Sequence, residues 1–394
     1  MNKRDLFVFI FIFLMNIYVF SQDDEYEIYK LIDYNNIKEM KMRILSKDTN
    51  INFKNKYGET ILIYAIKTNA SNEIIKFLIN NGSDINAVTN EINIDVYSFK
   101  KGIDNKTPFI WAILNNNLEI AEILLKRGVD INFSPRNDTT PLIEACRRSD
   151  ITNVETVNFL IKNGADVNAK IKHTLDFMNN EKLVEELNLK YNIPKRIIRS
   201  AEYIQPYLYF SENNETALII SITHTYPKKD IIELLIKNGA DVNIKPHSGR
   251  SALMEAIIFG HNDIAILLIN SGADVNVKTY GKFKRTYLAD YTPLIFATHD
   301  SMYEVAELLI KKGADINAQA TDGITALVRA VHSDQIRMVE LLLKNGADVT
   351  TRKDNKNILL YYAKQKENFD YDRMKKKKNY KEITKLLKKY GAKE

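Results

Sequence analysis

The stretch SALMEAIIFGHNDIAILLINSGADVN, from Ser251 to Asn276, contains one complete structural unit. Ser251 is an N-cap residue for a short helix, Ala252 to Ile257, and Gly260-His261 makes a tight turn. Asp263 begins a second helix, whose apolar residues Ile264, Leu267 and Leu268 recur at helical spacing. Asn270-Ser271-Gly272 ends it, because glycine takes the left-handed backbone needed just past a helix C-terminus. Asp274 and Asn276 then favour a turn by side-chain to backbone hydrogen bonding.

The closing pentapeptide recurs, with small variations, at Gly82, Gly128, Gly164, Gly239, Gly272, Gly313 and Gly346, and a cut-off copy stands at Gly391-Ala392. The intervals are 46, 36, 75, 33, 41 and 33 residues, so the basic period is 33 and the rest is insertion. A period of this size predicts a solenoid, in which each unit buries its apolar face only against its neighbours. The fold class expected is therefore all-α: about nine helix-turn-helix units with hairpin-loop insertions, capped at both ends. Six other units open on a capping threonine, at Thr60, Thr107, Thr140, Thr216, Thr292 and Thr325. Three of these have proline next (Pro108, Pro141, Pro293), where a missing amide costs nothing.

These residues carry a resemblance to the ankyrin-repeat family: the 33-residue period, the Thr-Pro-Leu-x-x-Ala openings at Thr140 and Thr292, and the Gly-Ala-Asp-Val-Asn closings. The chain departs from the family pattern at one place in every unit. The histidine expected after Thr-Pro-Leu is replaced by Ile63, Ile110, Ile143, Ile219, Met254, Ile295 and Val328, which puts the rigidity of the loops in question.

The expected organisation is a signal peptide at 1–21 and a repeat domain at 22–394. Within the domain, 24–52 form a capping unit and 53–350 form seven repeats. Insertions lie near 87–106, 169–212 and 277–291, and a C-terminal capping repeat follows at 351–394. The leader reading rests on Asn2-Lys3-Arg4, the apolar run Leu6 to Phe20 and small residues before Gln22. It suits an exported protein, periplasmic or secreted, of bacterial type; an uncleaved leader would tether the chain to a membrane. With one cysteine, Cys146, no intramolecular disulfide is available. The net charge of +6 is spread along 394 residues and singles out no acidic partner.

No catalytic constellation, cofactor motif or metal-ligand spacing is present in the sequence, so the chain is read as non-enzymatic, with no cofactor and no metal. The Asp and Asn of the closings are read as turn residues rather than calcium ligands. The family resemblance implies a concave groove lined by the first helices. There the corresponding residues are Tyr64, Lys67, Trp111, Leu114, Glu144, Arg147, Arg148, His224, Glu255, Phe259, Phe296, His299, Arg329 and His332. They differ from unit to unit while their neighbours stay alike, as a recognition surface requires. Trp111, Tyr64, Phe259 and Phe296 are anchor candidates, and inter-repeat packing is the competing reading for each. The loop residues Tyr280, Lys282, Phe283, Lys284, Arg285 and Tyr287 form a second candidate surface. The run Lys375 to Lys378 reads as a solvated loop. The expected function is a protein-protein interaction scaffold with a protein partner, nucleic acid being disfavoured and a monomer expected. The alternative is a secreted effector, or an inhibitor or immunity-type regulator, that binds one enzyme or host protein.

Overall fold

The computed structural model describes residues 27–46, 50–55, 57–89, 106–135, 139–148, 151–171, 214–246, 249–279, 290–350 and parts of 352–393. The leader, the body of the insertion at 169–212 and the loop residues Tyr280 to Tyr287 lie outside them. The chain forms two compact units, residues 1–210 and 211–394.

The first unit opens with helices at 27–33 and Ile37–Leu45, which bury Ile28, Ile32, Met40 and Ile44. Three helix pairs follow: Ile61–Lys67 with Asn72–Asn80 (repeat 1), Pro108–Leu114 with Leu118–Lys126 (repeat 2), and Pro141–Arg147 with Val154–Lys162 (repeat 3). The Tyr29 hydroxyl donates to the carbonyls of Glu59 and Phe53, fastening the capping pair to repeat 1.

The second unit holds four pairs: Ala217–Ile222 with Lys229–Lys237 (repeat 4), Ala252–Ile258 with Asn262–Asn270 (repeat 5), Pro293–His299 with Tyr303–Lys311 (repeat 6), and Ala326–His332 with Ile336–Lys344 (repeat 7). A two-residue antiparallel pairing of Arg352–Lys353 with Lys356–Asn357 and a final helix, Met374–Lys389, complete it. That helix takes in Lys375 to Lys378, which are helical and not the solvated loop expected. Lysine is a good helix former, and clustered charge alone does not stop a helix.

Every first helix is capped as its sequence predicts. The Thr60 side chain accepts the amide of Ile63 at 3.3 Å, and Thr107, Thr140, Thr216, Ser251, Thr292 and Thr325 do the same three residues on. The residues standing where the family has histidine are those whose amides are capped. All seven side chains are buried. These residues add apolar area between stacked units and leave loop geometry to other groups.

Those other groups are the closing Asp and Asn. Asp274 Oδ1 accepts the Asn276 amide at 2.9 Å, and the equivalent bond forms in every repeat, ending with Asp348 to Thr350. The Asn then reaches forward. Asn276 Nδ2 donates to the Gly313 carbonyl at 3.0 Å, and its Oδ1 accepts the Asp315 amide at 2.7 Å. Asn52, Asn132, Asn243 and Asn317 bridge to the next closing turn in the same way. The recurrence of Asp and Asn is thus turn and bridge chemistry. Gly272 has φ +88° with open space where a Cβ would stand, so glycine is there for its backbone and not for clearance.

Two insertions leave the repeat through pinched necks. Thr89 donates its amide to the Lys106 carbonyl, and its hydroxyl oxygen accepts the Lys106 amide at 2.9 Å. Thr279 and Tyr291 repeat the arrangement at 3.1 Å for each bond. Both threonines are buried, so each insertion departs from a closed two-residue ladder and leaves the helix pairs undisturbed.

Candidate functional site

The first helices place their fourth residue after the cap on the face where the recognition surface was expected. The structure adds a second participant. In repeats 1, 2, 3, 5 and 6 the hairpin residue just before the cap meets that fourth residue, five positions away, and the two form a pair whose chemistry changes from repeat to repeat. In repeat 2 the Lys106 ammonium lies 5.6 Å from the Trp111 ring centre. In repeat 3 the Thr139 hydroxyl donates to Glu144 Oε1 at 2.8 Å, and Arg147 Nη1 donates to the same oxygen at 3.0 Å. In repeat 5 Arg250 Nε lies 3.1 Å from Glu255 Oε1. In repeat 6 the Tyr291 and Phe296 rings pack at 5.4 Å. In repeat 1 Glu59 stands beside Tyr64 and takes the Lys67 ammonium at 2.5 Å.

This pairing sorts the candidate residues. Glu144 and Glu255 are only 6% and 4% exposed, and their carboxylates are held by partners within their own repeats. Leu114 is buried and Phe296 is 7% exposed, so both side chains are spent on packing. Tyr64 and Trp111 are half-buried. The Tyr64 hydroxyl donates to Asp33 Oδ1 at 2.7 Å; burial first, then this bond, push its phenol pKa up to about 12. The Lys67 ammonium of repeat 1 also sits 5.3 Å from the Trp111 ring centre, and Trp111 Nε1 is buried with no acceptor among the described residues.

Phe259 is 45% exposed and stacked on the His261 ring at 6.0 Å and 10°. The His261 Nε2 lies 3.0 Å from the His224 carbonyl, so repeats 4 and 5 present one joined aromatic corner. Tyr226, in the turn of repeat 4, is 89% exposed and was not among the expected residues. Its only sequence signal is an aromatic directly before Pro227 in a loop. Arg147 is half-buried, whereas Lys67, Arg148, His299 and His332 are exposed; His299 Nδ1 contacts Asp300 Oδ1 at 2.7 Å.

Arg329 breaks the pairing rule. The hairpin residue of its repeat is Ile324, which offers it no acceptor. Arg329 Nη2 instead donates to the Tyr291 hydroxyl of repeat 6 at 2.7 Å, and that hydroxyl donates to Asp322 Oδ2 at 2.9 Å. Burial, and after it the bond to Asp322, raise the Tyr291 pKa; Arg329 opposes the shift. Tyr291 therefore stays a neutral donor between a cation and an anion. A cavity of about 200 Å³ opens here, lined by Asp322, Ile324, Val328, Arg329 and His332. Cys146, the single cysteine of the sequence, is fully buried, as a small core residue should be. Among the described residues no cluster of His, Cys, Asp and Glu is arranged to hold a metal ion.

Comparison with known proteins agrees with this geometry. A family model described as ankyrin repeats (3 copies) matches residues 88–171, 178–279 and 282–370, and one described as ankyrin repeats (many copies) matches 45–94. A 64-residue segment is 39% identical to the ankyrin repeat and KH domain-containing protein mask-1 of Caenorhabditis elegans. That segment is 16% of this chain and 2% of the relative, so the likeness concerns the repeats alone.

Proposed function

The chain belongs to the ankyrin-repeat family, and we propose from that premise that it is a non-catalytic scaffold that binds a protein partner through the first-helix face of its repeats. The family typically mediates protein-protein interaction and is typically not enzymatic. The observation that carries the reading here is the variation, within each compact unit, of the side chains on the first helices over a uniformly apolar stack. Trp111, Phe259, Tyr226, Arg148 and Arg329 offer the large aromatic and guanidinium groups that dominate interface energetics. We further propose export, with removal of residues 1–21, on the basic, apolar and small-residue layout of the leader. An affinity capture from envelope and culture-medium fractions tests both. Wild type is compared with a Trp111→Ala, Phe259→Ala variant of unchanged helix content. A partner retained by wild type and lost by the variant supports the reading; identical retention by both overturns the assignment of the face.

A further inference from the structure

Resting on that reading, we propose that the cavity of repeat 7 receives an acidic side chain, the carboxylate of an aspartate or glutamate on the partner. The argument starts from the pairing of hairpin and helix residues. Where the fourth helix residue is a buried carboxylate, in repeats 3 and 5, the hairpin residue before the cap supplies its complement: Thr139 to Glu144, Arg250 to Glu255. Repeat 7 puts a cation at the helix position and the apolar Ile324 at the hairpin position.

Arg329 consequently keeps a donor to spare. Its Nη2 is used by Tyr291, while its Nε–H is shut off from water and has no acceptor among the described residues. A buried unsatisfied donor is a standing cost that an incoming acceptor removes. Guanidinium is also the side chain whose planar fork matches a carboxylate.

The remaining walls suit the same guest. Ile324 and Val328 provide apolar contact for one or two methylenes, and the exposed His332 lies at the cavity. Asp322 lines the cavity too, but its oxygens are engaged: Oδ1 accepts the Ile324 amide at 3.1 Å and Oδ2 accepts the Tyr291 hydroxyl. Arg329 is half-buried, and its Nη2 carries two protons, so an acid can take one while the other keeps the Tyr291 contact.

The test supplies the missing partner from within. Ile324→Glu builds in repeat 7 the five-residue ion pair of repeat 5 with the two charges exchanged, and fills the cavity with its own carboxylate. A phage-displayed random peptide library is selected on the immobilised chain. The selected peptides are then synthesised with each Asp or Glu replaced by Asn or Gln. We expect one acidic position whose amide replacement weakens binding to wild type roughly tenfold or more. The same replacement should have little effect on binding to Ile324→Glu or Arg329→Met. Both variants are checked for an unchanged melting transition; Ile324→Glu keeps the arginine, so a defect in folding and a blocked cavity are told apart. Selected peptides that lack a required acid, or whose acid matters equally in all three proteins, overturn the proposal. If such peptides still lose binding in Trp111→Ala, Phe259→Ala, the scaffold reading stands while the carboxylate pocket falls. A library that yields no binder counts against both.

Discussion

Asn276→Ala isolates the bridge between repeats 5 and 6. The substitution deletes two inter-repeat bonds, from Nδ2 to the Gly313 carbonyl at 3.0 Å and from the Asp315 amide to Oδ1 at 2.7 Å. The side chain is exposed, so the groups left behind regain water and no burial penalty is added. At a net ~0.5–1.5 kcal/mol per bond, the loss is about 1–3 kcal/mol. In a nearest-neighbour array the loss falls on one interface, so it weakens coupling between repeats more than it weakens either repeat. Urea unfolding followed by circular dichroism should show a lower midpoint and a broader transition. Amide exchange at Asp315 should accelerate ahead of amides within the helices. Asn276→Asp is the sharper variant. It keeps the acceptor for the Asp315 amide but sets a carboxylate oxygen against the Gly313 carbonyl. It should therefore cost more than alanine at neutral pH and recover when the carboxyl is protonated. A stability within ~0.3 kcal/mol of wild type for Asn276→Ala, with Asp315 exchange unchanged, would refute the claim that these bridges hold the turns together.

Three further outcomes follow from the same coordinates. Gln335 is the N-cap of Ile336–Lys344 with φ −98° and ψ 76° and makes no side-chain cap bond, whereas Asn117, at φ −86° and ψ 75°, caps its helix. Gln335→Asn should thus stabilise by about 1 kcal/mol in thermal denaturation, and no gain would mean the cap geometry is wrong. Phe296→Ala should cost about 3–5 kcal/mol as a core cavity, while the more exposed Phe259→Ala costs about 0.5 kcal/mol or less; equal costs in chemical unfolding would contradict the burial assigned to them. Tyr64 should ionise near pH 12 in an ultraviolet titration. Because its folded value is raised above the unfolded value of about 10, its stabilisation is complete below pH 10 and is lost as pH rises towards 12. Tyr64→Phe should remove that alkaline step, and an unchanged profile would assign it elsewhere.

The stack itself was legible because its signals are local. Thr60 to Ile63 or Asp274 to Asn276 are contacts within four residues, fixed by backbone geometry, and many copies remove ambiguity. Helix starts were legible only to within a residue: Asn262–Asn270 begins one position before Asp263. The pairing on the first-helix face was not legible. Arg250 and Glu255 are five apart, a spacing that neither helix nor strand periodicity favours, and they meet only because the hairpin folds over the helix. For the same reason Phe296 read as an anchor: its burial is completed by Tyr291, which the sequence places in a loop. The Thr89 and Thr279 necks went unread because their partners, Lys106 and Tyr291, are separated from them by insertions of different length.

The central claim is that the first-helix face is the binding face. Site-specific photo-crosslinking tests it most directly, with a photoreactive residue placed at Arg148, Phe259 or His332 on that face and, separately, at Glu122 or Glu307 on the second helices. Crosslinks to a discrete protein from the first three positions, and none from the last two, are predicted. Crosslinks from Glu122 and Glu307 alone, or equally from all five, would contradict the account.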